Sequence, residues 1–258
     1  MARFNCSMVS YTLDRAIDLT IIIPSPTYPD IANARSNKEL IKHTPKEKYP
    51  VLYLLHGYSG SHTSWTSYAN TEMYAEERKI AVVMLSAENK RYIDKNDDNF
   101  FTFLSEELPD FITGMFPVSK RPEDTYIAGL SMGGYGTVIH ALNHPEKYAA
   151  MGSFSGAVLL KDENKRAYEE KFDPAIAAEK LFAAKATLPK MYISCGEKDF
   201  LFETNKEFKK LFEDNGYELT WVTDPRYGHE WRFWDQQIEA FLDWIPRTDP
   251  YKDIRTGV

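Results

Sequence analysis

Short, nearly continuous apolar runs recur along the chain, at residues 19–23, 51–55, 81–86, 125–128, 149–154, 190–195 and 219–223. Runs of this length without polar alternation fit strands buried on both faces, as parallel strands are. Between them, apolar residues recur at helical spacing over 71–78, 99–115, 132–143, 205–215 and 231–244. Strand and helix taking turns predicts βαβ units, hence an α/β fold with a mostly parallel central sheet and helices on both faces. Two stretches break the alternation. Residues 24–50 form a polar connection with five prolines, expected to be a surface excursion. Residues 157–189 are rich in Lys, Glu and Ala, with Pro174 placed to start a helix. This second stretch is expected either as a cap over the active site or as a helical spacer.

The 258 residues, without internal repeat, suit a single domain spanning 1–258. Hydrophobic residues make up 43% of the chain, enough for a sizeable core. The net charge of −7 argues against nucleic acid or an anionic membrane as partner, because both reward clustered Lys and Arg. No apolar stretch of signal-peptide length follows Met1, and the run at 19–23 is far too short to cross a bilayer, so a cytoplasmic protein is expected. Of the two cysteines, Cys6 and Cys195, the second ends an apolar run and is expected to be a buried free thiol.

The segment Gly129-Leu130-Ser131-Met132-Gly133 follows a strand pattern and precedes a helix pattern. That is the context of a nucleophile elbow, a tight turn that lifts a serine hydroxyl to the head of the sheet at the start of a helix. Small residues two before and two after the serine let strand and helix pass closely. A serine needs a base to attack at neutral pH, and in this fold the base comes last along the chain. His140 and His144 lie on or just after the helix that Ser131 begins. His229 lies in a loop after the last strand, where the base belongs. The acid should follow the penultimate strand, which selects Asp199, with Glu197 and Asp224 as rivals. For the oxyanion hole, one backbone N–H belongs to Met132. The other is assigned to Tyr58, in the Leu55-His56-Gly57-Tyr58 loop after an early strand. His56 reads as a structural support. Trp65, Tyr68, Trp231 and Trp234 flank these loops, either lining an acyl or sugar pocket or packing the interior.

With these residues in place, the chain resembles the esterase D group of α/β hydrolases. The resemblance rests on Leu54-Leu55-His56-Gly57, Gly129 to Gly136, Cys195 to Asp199 and Gly228-His229-Glu230-Trp231. It implies an α/β-hydrolase fold, a Ser131–His229–Asp199 triad, and oxyanion donors at Tyr58 and Met132. The implied chemistry is that of a serine carboxylesterase acting on short acyl esters of small alcohols or sugars, with no metal or organic cofactor and a small ester as substrate. The group also contains feruloyl and acetylxylan esterases, S-formylglutathione hydrolases and mycolyltransferases. Formylglutathione hydrolases usually carry a threonine-cysteine pair where this chain has Tyr58-Ser59-Gly60. The resemblance also implies pairing with copies of itself, as is frequent in the group.

Overall fold

The computed structural model describes residues 1–158 and 170–255. Among these residues, eight strands form one sheet in the order β1-β2-β4-β3-β7-β8-β9-β10. The strands are β1 (Ala2–Ser10), β2 (Arg15–Ile23), β3 (Val51–Leu55), β4 (Ala81–Leu85), β7 (Thr125–Leu130), β8 (Ala150–Phe154), β9 (Lys190–Gly196) and β10 (Thr220–Asp224). A minor hairpin, β5 (Asp94–Lys95) and β6 (Asp98–Asn99), stands apart. The six strands from β4 to β10 are parallel, and β2 runs antiparallel to both β1 and β4. The expected parallel α/β sheet is therefore present, extended by an antiparallel hairpin at one edge.

The helices are α1 (Tyr28–Asn37), α2 (Ser64–Tyr68), α3 (Thr71–Glu77), α4 (Phe100–Thr102), α5 (Leu108–Met115), α6 (Met132–Asn143), α7 (Pro174–Ala183), α8 (Phe202–Asp214) and α9 (Trp231–Trp244). Side chains alternate along the central strands between two cores. Val51, Tyr53, Leu55 and Ile127 pack with α5, α6, α7 and α8 on one face. Leu52, Leu54, Tyr126 and Ala128 pack with α2, α3 and α9 on the other. The central strands are thus covered on both faces, which is why the pattern along them is nearly continuous rather than alternating.

Three features depart from the pattern-based expectation. Strand β1 was not expected, because it is an edge strand with an exposed outer side and its polar residues break any run. Helix α1 lies inside the excursion 24–50 and buries none of its side chains. It is built by local chemistry instead: Thr27 caps it, Asp30 closes the capping box, and Pro29 sits in its first turn. Third, α4 passes into α5 through a π-helical turn, Phe103–Glu107. Pro109 follows, lacking an N–H and crowding the carbonyl four residues back, and a widened turn accommodates both effects. The turn also aims Glu107 at the β1–β2 hairpin. There it accepts hydrogen bonds from Ser10 Oγ (2.7 Å) and from the Tyr11 (3.0 Å) and Thr12 (2.9 Å) amides.

Of the stretch 157–189, α7 packs alongside α6 and α8. Residues 159–169, on which the expectation of a cap also falls, lie outside the described residues. Cys195 is free and fully buried, and Cys6 is free and half-buried. Among the described residues, no helix is long and apolar enough to cross a membrane.

Chain order turns around β3: β4 adds on one side of it and β7 on the other. A crevice opens at the carboxyl ends of strands at such a reversal, and ligands bind there in open α/β sheets.

His140 is fully buried, with Nδ1 3.1 Å from Ser105 Oγ, Nε2 3.1 Å from the Tyr92 carbonyl, and its ring stacked on Phe101. Burial pushes its pKa down to about 3, and burial also lowers those of His56, His62 and His144. In the unfolded chain these imidazoles take up protons at about pH 6.5, while in the folded chain burial moves that uptake to lower pH. The unfolded state then binds more protons, so stability is lost as pH falls below that value. The melting temperature is expected to drop between about pH 7 and about pH 5. His140→Gln, which can keep both hydrogen-bond partners but cannot titrate, should make that slope shallower in thermal scans across the same range.

Candidate active site

Ser131 stands between β7 and α6 with φ 52° and ψ −114°. A non-glycine residue held there stores on the order of 1–3 kcal/mol of backbone strain. The surroundings hold it in place. Its amide donates to the Phe154 carbonyl (2.9 Å), and its own carbonyl accepts from Tyr135 (3.0 Å) and Ala157 (3.1 Å). The flanking glycines make the turn possible. A Cβ on Gly133 would lie 2.5 Å from the Leu55 carbonyl oxygen, and one on Gly129 would lie 2.6 Å from the Gly133 backbone. The elbow therefore fits only with hydrogens at both positions.

Three of the residues expected at the site converge. Ser131 Oγ lies 3.0 Å from His229 Nε2, and His229 Nδ1 lies 2.8 Å from Asp199 Oδ2. Asp199 is buried and also accepts from the Leu201 amide (2.9 Å). Burial would raise the Asp199 pKa, but hydrogen bonds from His229, Leu201 and the Ser155 hydroxyl outweigh it and hold the carboxyl below its ordinary value. The rivals point elsewhere. Glu197 accepts from Thr223 Oγ1 (3.0 Å), and Asp224 is clamped by Arg226. The loops carrying Asp199 and His229 are tied backbone to backbone: Lys198 N–H donates to the Tyr227 carbonyl (3.0 Å). A Cβ on Gly196 would lie 2.4 Å from that carbonyl oxygen, so glycine is required for the approach.

The loop after β3 is fixed by His56, which is buried. Its Nε2 accepts from the Ala87 amide (2.9 Å) and its Nδ1 lies 2.7 Å from the Gly57 carbonyl oxygen. The first contact makes Nε2 the unprotonated nitrogen, so Nδ1–H donates to Gly57. Gly60 N–H donates to the same oxygen (3.1 Å). A trans peptide sets its carbonyl and the following N–H on opposite sides. With the Gly57 carbonyl held by His56 and Gly60, the Tyr58 N–H points away from them. Met132 opens α6, where the first N–H groups of a helix have no partner within it. Burial is the largest influence on His56 and lowers its pKa, which keeps this arrangement neutral.

These groups meet in a cleft of about 730 Å³ whose walls include Tyr58, Tyr68, Phe200, Trp231 and Trp234. Tyr68 and Trp231 stack at 5.1 Å on its rim. Trp234 is both buried and a wall residue, meeting the His229 ring edge-on at 4.9 Å. Trp65 is interior, its indole N–H donating to the Leu55 carbonyl (3.0 Å). Phe200, 76% exposed with its ring 4.7 Å from His229, was missed in the sequence. Its only signal there is its place next to Asp199. Among the described residues, no group of three or more His, Cys, Asp or Glu side chains is arranged to hold a metal ion.

The model of the Esterase family matches residues 38–245. An acetyl esterase of Caldicellulosiruptor saccharolyticus is 27% identical, the match covering 83% of this chain and 89% of that protein. A substrate-bound fluorophosphonate-binding serine hydrolase of Staphylococcus aureus superposes with a TM-score of 0.82 at 27% identity, covering 94% of this chain and 97% of the other. An S-formylglutathione hydrolase of the same organism gives 0.79 at 28% identity, covering 94% and 98%. The chain belongs to the esterase family and is a carboxylic ester hydrolase of the serine hydrolase type, with the α/β-hydrolase fold.

Glycine substitutions should separate close approach from mere helix propensity. Gly133→Ala forces a methyl onto the Leu55 and His56 carbonyls and should destabilise by about 1–3 kcal/mol or more, with loss of activity. Gly114→Ala in α5 meets nothing within 4 Å and should stabilise by roughly 0.5–1 kcal/mol. Chemical denaturation of the two variants provides the comparison.

Proposed function

We propose that this member of the esterase family hydrolyses short-chain acyl esters, of acetyl or butyryl size, on small alcohols or sugars. Ser131 is the nucleophile, His229 the general base and then general acid, and Asp199 the group that holds the imidazole. The observation that carries this reading is the unbroken hydrogen-bonded line from Ser131 Oγ through His229 to Asp199, opening into the cleft.

Ser131 Oγ attacks the ester carbonyl carbon while its proton passes to His229 Nε2. Charge builds on the former carbonyl oxygen, where the N–H groups of Tyr58 and Met132 receive it. Asp199, ionised and hydrogen-bonded to Nδ1–H, stabilises the imidazolium without taking its proton. His229 then protonates the leaving alkoxide, the C–O bond breaks, and the alcohol departs from an acyl-Ser131 ester. Water repeats the sequence: His229 takes its proton, the hydroxide oxygen attacks the acyl carbon, and Ser131 leaves with the proton returned. No step needs a metal or organic cofactor.

The acetyl esterase relative supports a short acyl group. The aromatic walls of the cleft favour a second reading, in which an aromatic acyl group such as feruloyl is removed. A thioester such as S-formylglutathione is the third substrate worth measuring, given the similar solved structure. Ser131→Ala is expected to lower kcat on p-nitrophenyl acetate on the order of 10⁴-fold or more. Near-normal turnover by that variant would remove Ser131 from the role. Among wild-type substrates, kcat/KM should be highest for the acetyl ester. A hundredfold preference for methyl ferulate or S-formylglutathione would replace the short-acyl reading.

A further inference from the structure

A second cavity, of about 330 Å³, lies at the opposite end of the sheet from Ser131, and its volume is that of a small-molecule site. Its walls come from the amino ends of β7 and β8, where Thr125 and Tyr148 stand, and from Pro109 and Thr113 of α5. Tyr53 of β3 also lines it. Tyr53 and Tyr148 are only 2% and 6% exposed. Other buried tyrosines donate their hydroxyls: Tyr92 to the His56 carbonyl (2.9 Å), Tyr126 to the Pro246 carbonyl (2.6 Å) and Tyr192 to Gln237 Oε1 (2.9 Å). Among the described residues, the hydroxyls of Tyr53 and Tyr148 have no hydrogen-bond partner, and neither oxygen is sealed off in the interior, so each meets the cavity. Buried polar groups are rarely left in that condition, because an unmet hydrogen bond is costly.

The rest of the wall narrows the chemistry of the missing partner. Ser119 Oγ donates to Asp124 (2.6 Å), Thr125 Oγ1 to the Arg121 carbonyl (2.9 Å) and Thr113 Oγ1 to the Pro109 carbonyl (2.8 Å), so these protons are committed. Lys147 Nζ donates to the Ser105 carbonyl (2.9 Å) and to the Glu106 carboxylate (3.0 Å), two of the three N–H groups of an ammonium. Lys120 and Asp110, of opposite charge, are both exposed and stand at the rim. The inner part of the cavity therefore offers donors: two phenol O–H groups and the third Lys147 N–H. Burial raises the pKa of both phenols, which keeps them protonated and donating at neutral pH. Around these donors the wall is apolar, made of the tyrosine rings, Pro109 and Pro122.

We propose that this cavity is a second binding site, separate from the catalytic cleft, for a small monocarboxylate with a short apolar body. The carboxylate accepts from the Tyr53 and Tyr148 hydroxyls and from Lys147 Nζ, and the body lies against the proline and tyrosine rings. A carboxylate only accepts, at two oxygens, and its charge strengthens each bond it receives. Carboxylic acids are also what a carboxylic ester hydrolase releases, so the ligand class is one that the enzyme's own reaction generates. The site does not depend on which ester the catalytic cleft takes.

Sodium benzoate and sodium butyrate are the probes, with benzamide and sodium chloride at equal ionic strength as controls. Either carboxylate at millimolar concentration is expected to raise the melting temperature and to give a saturable heat in titration calorimetry, with a much weaker response to benzamide. Tyr53→Phe and Tyr148→Phe each delete one oxygen and keep the ring. Each should weaken carboxylate binding about 10-fold or more, the worth of a hydrogen bond to a charged group. Their kcat/KM on p-nitrophenyl acetate should match wild type, and without carboxylate they should melt no lower, because the deleted hydroxyl had no partner. Crystals soaked in para-bromobenzoate should show the bromine's anomalous signal between Tyr53 and Tyr148. Absence of saturable binding to wild type, unchanged affinity in both variants, equal affinity for benzamide, or bromine beside Ser131 alone overturns the proposal.

Discussion

The Leu55 and His56 carbonyls lie so close to Gly133 that no side-chain atom fits between them. Much of the site follows from this contact. It seats the start of α6 against the end of β3, and so places the serine turn beside the loop that carries Tyr58. Because β3 and β7 are hydrogen-bonded neighbours in parallel register, their carboxyl ends emerge side by side. Ser131 and both candidate oxyanion donors thus come from two adjacent strand ends. Asp199 and His229 follow β9 and β10, beyond β8, where Gly196 permits a second close approach, onto Tyr227. Two glycine-dependent contacts, one on each side of the crevice, set the spacing that the side chains then use.

The sequence was most legible where a backbone constraint and a chemical constraint fall on the same residues. Gly129 to Gly133 is such a place, since the turn demands small residues and the chemistry demands a serine between them. His229 was reachable because chain order in this fold leaves few histidines to choose from. Asp199 was chosen over Glu197 and Asp224 by position alone, and the geometry separates them by what each carboxylate binds. The central strands were visible because both faces are covered. Helix α1 was hidden for the opposite reason: with no buried side, it leaves no periodic trace, and its cap is its only signature. Strand β1 was hidden by the polar residues of an exposed edge. Phe200 could not be found from pattern at all. Its importance lies in its contact with His229, distant in sequence, and a lone aromatic in a loop is commonplace.

Burial does two kinds of electrostatic work here. Around His56 and His140 it suppresses charge, so both imidazoles serve as fixed, neutral hydrogen-bonding struts. Around Asp199 it is overcome by three donors, so a charge persists inside the protein where the imidazole of His229 can use it. His229 lines the cleft beside Ser131, whereas His56 and His140 are locked in the interior. That division separates the proposed base from the scaffolding.

The spread of the site along the chain has a consequence for biosynthesis. Ser131 and His229 are 98 residues apart, and Asp199 precedes His229 by 30. The elbow can be laid down on β3, β7 and β8 while the chain is still emerging from the ribosome. The base arrives only with β10, the last strand at its edge of the sheet, and with α9, which returns across the molecule to meet α3 through pairs such as Arg78–Asp243 and Asn70–Asp235. A nascent or half-assembled chain therefore holds a strained serine with nothing to deprotonate it. With the proposed roles, catalysis waits on the last strand and the last helix of the chain.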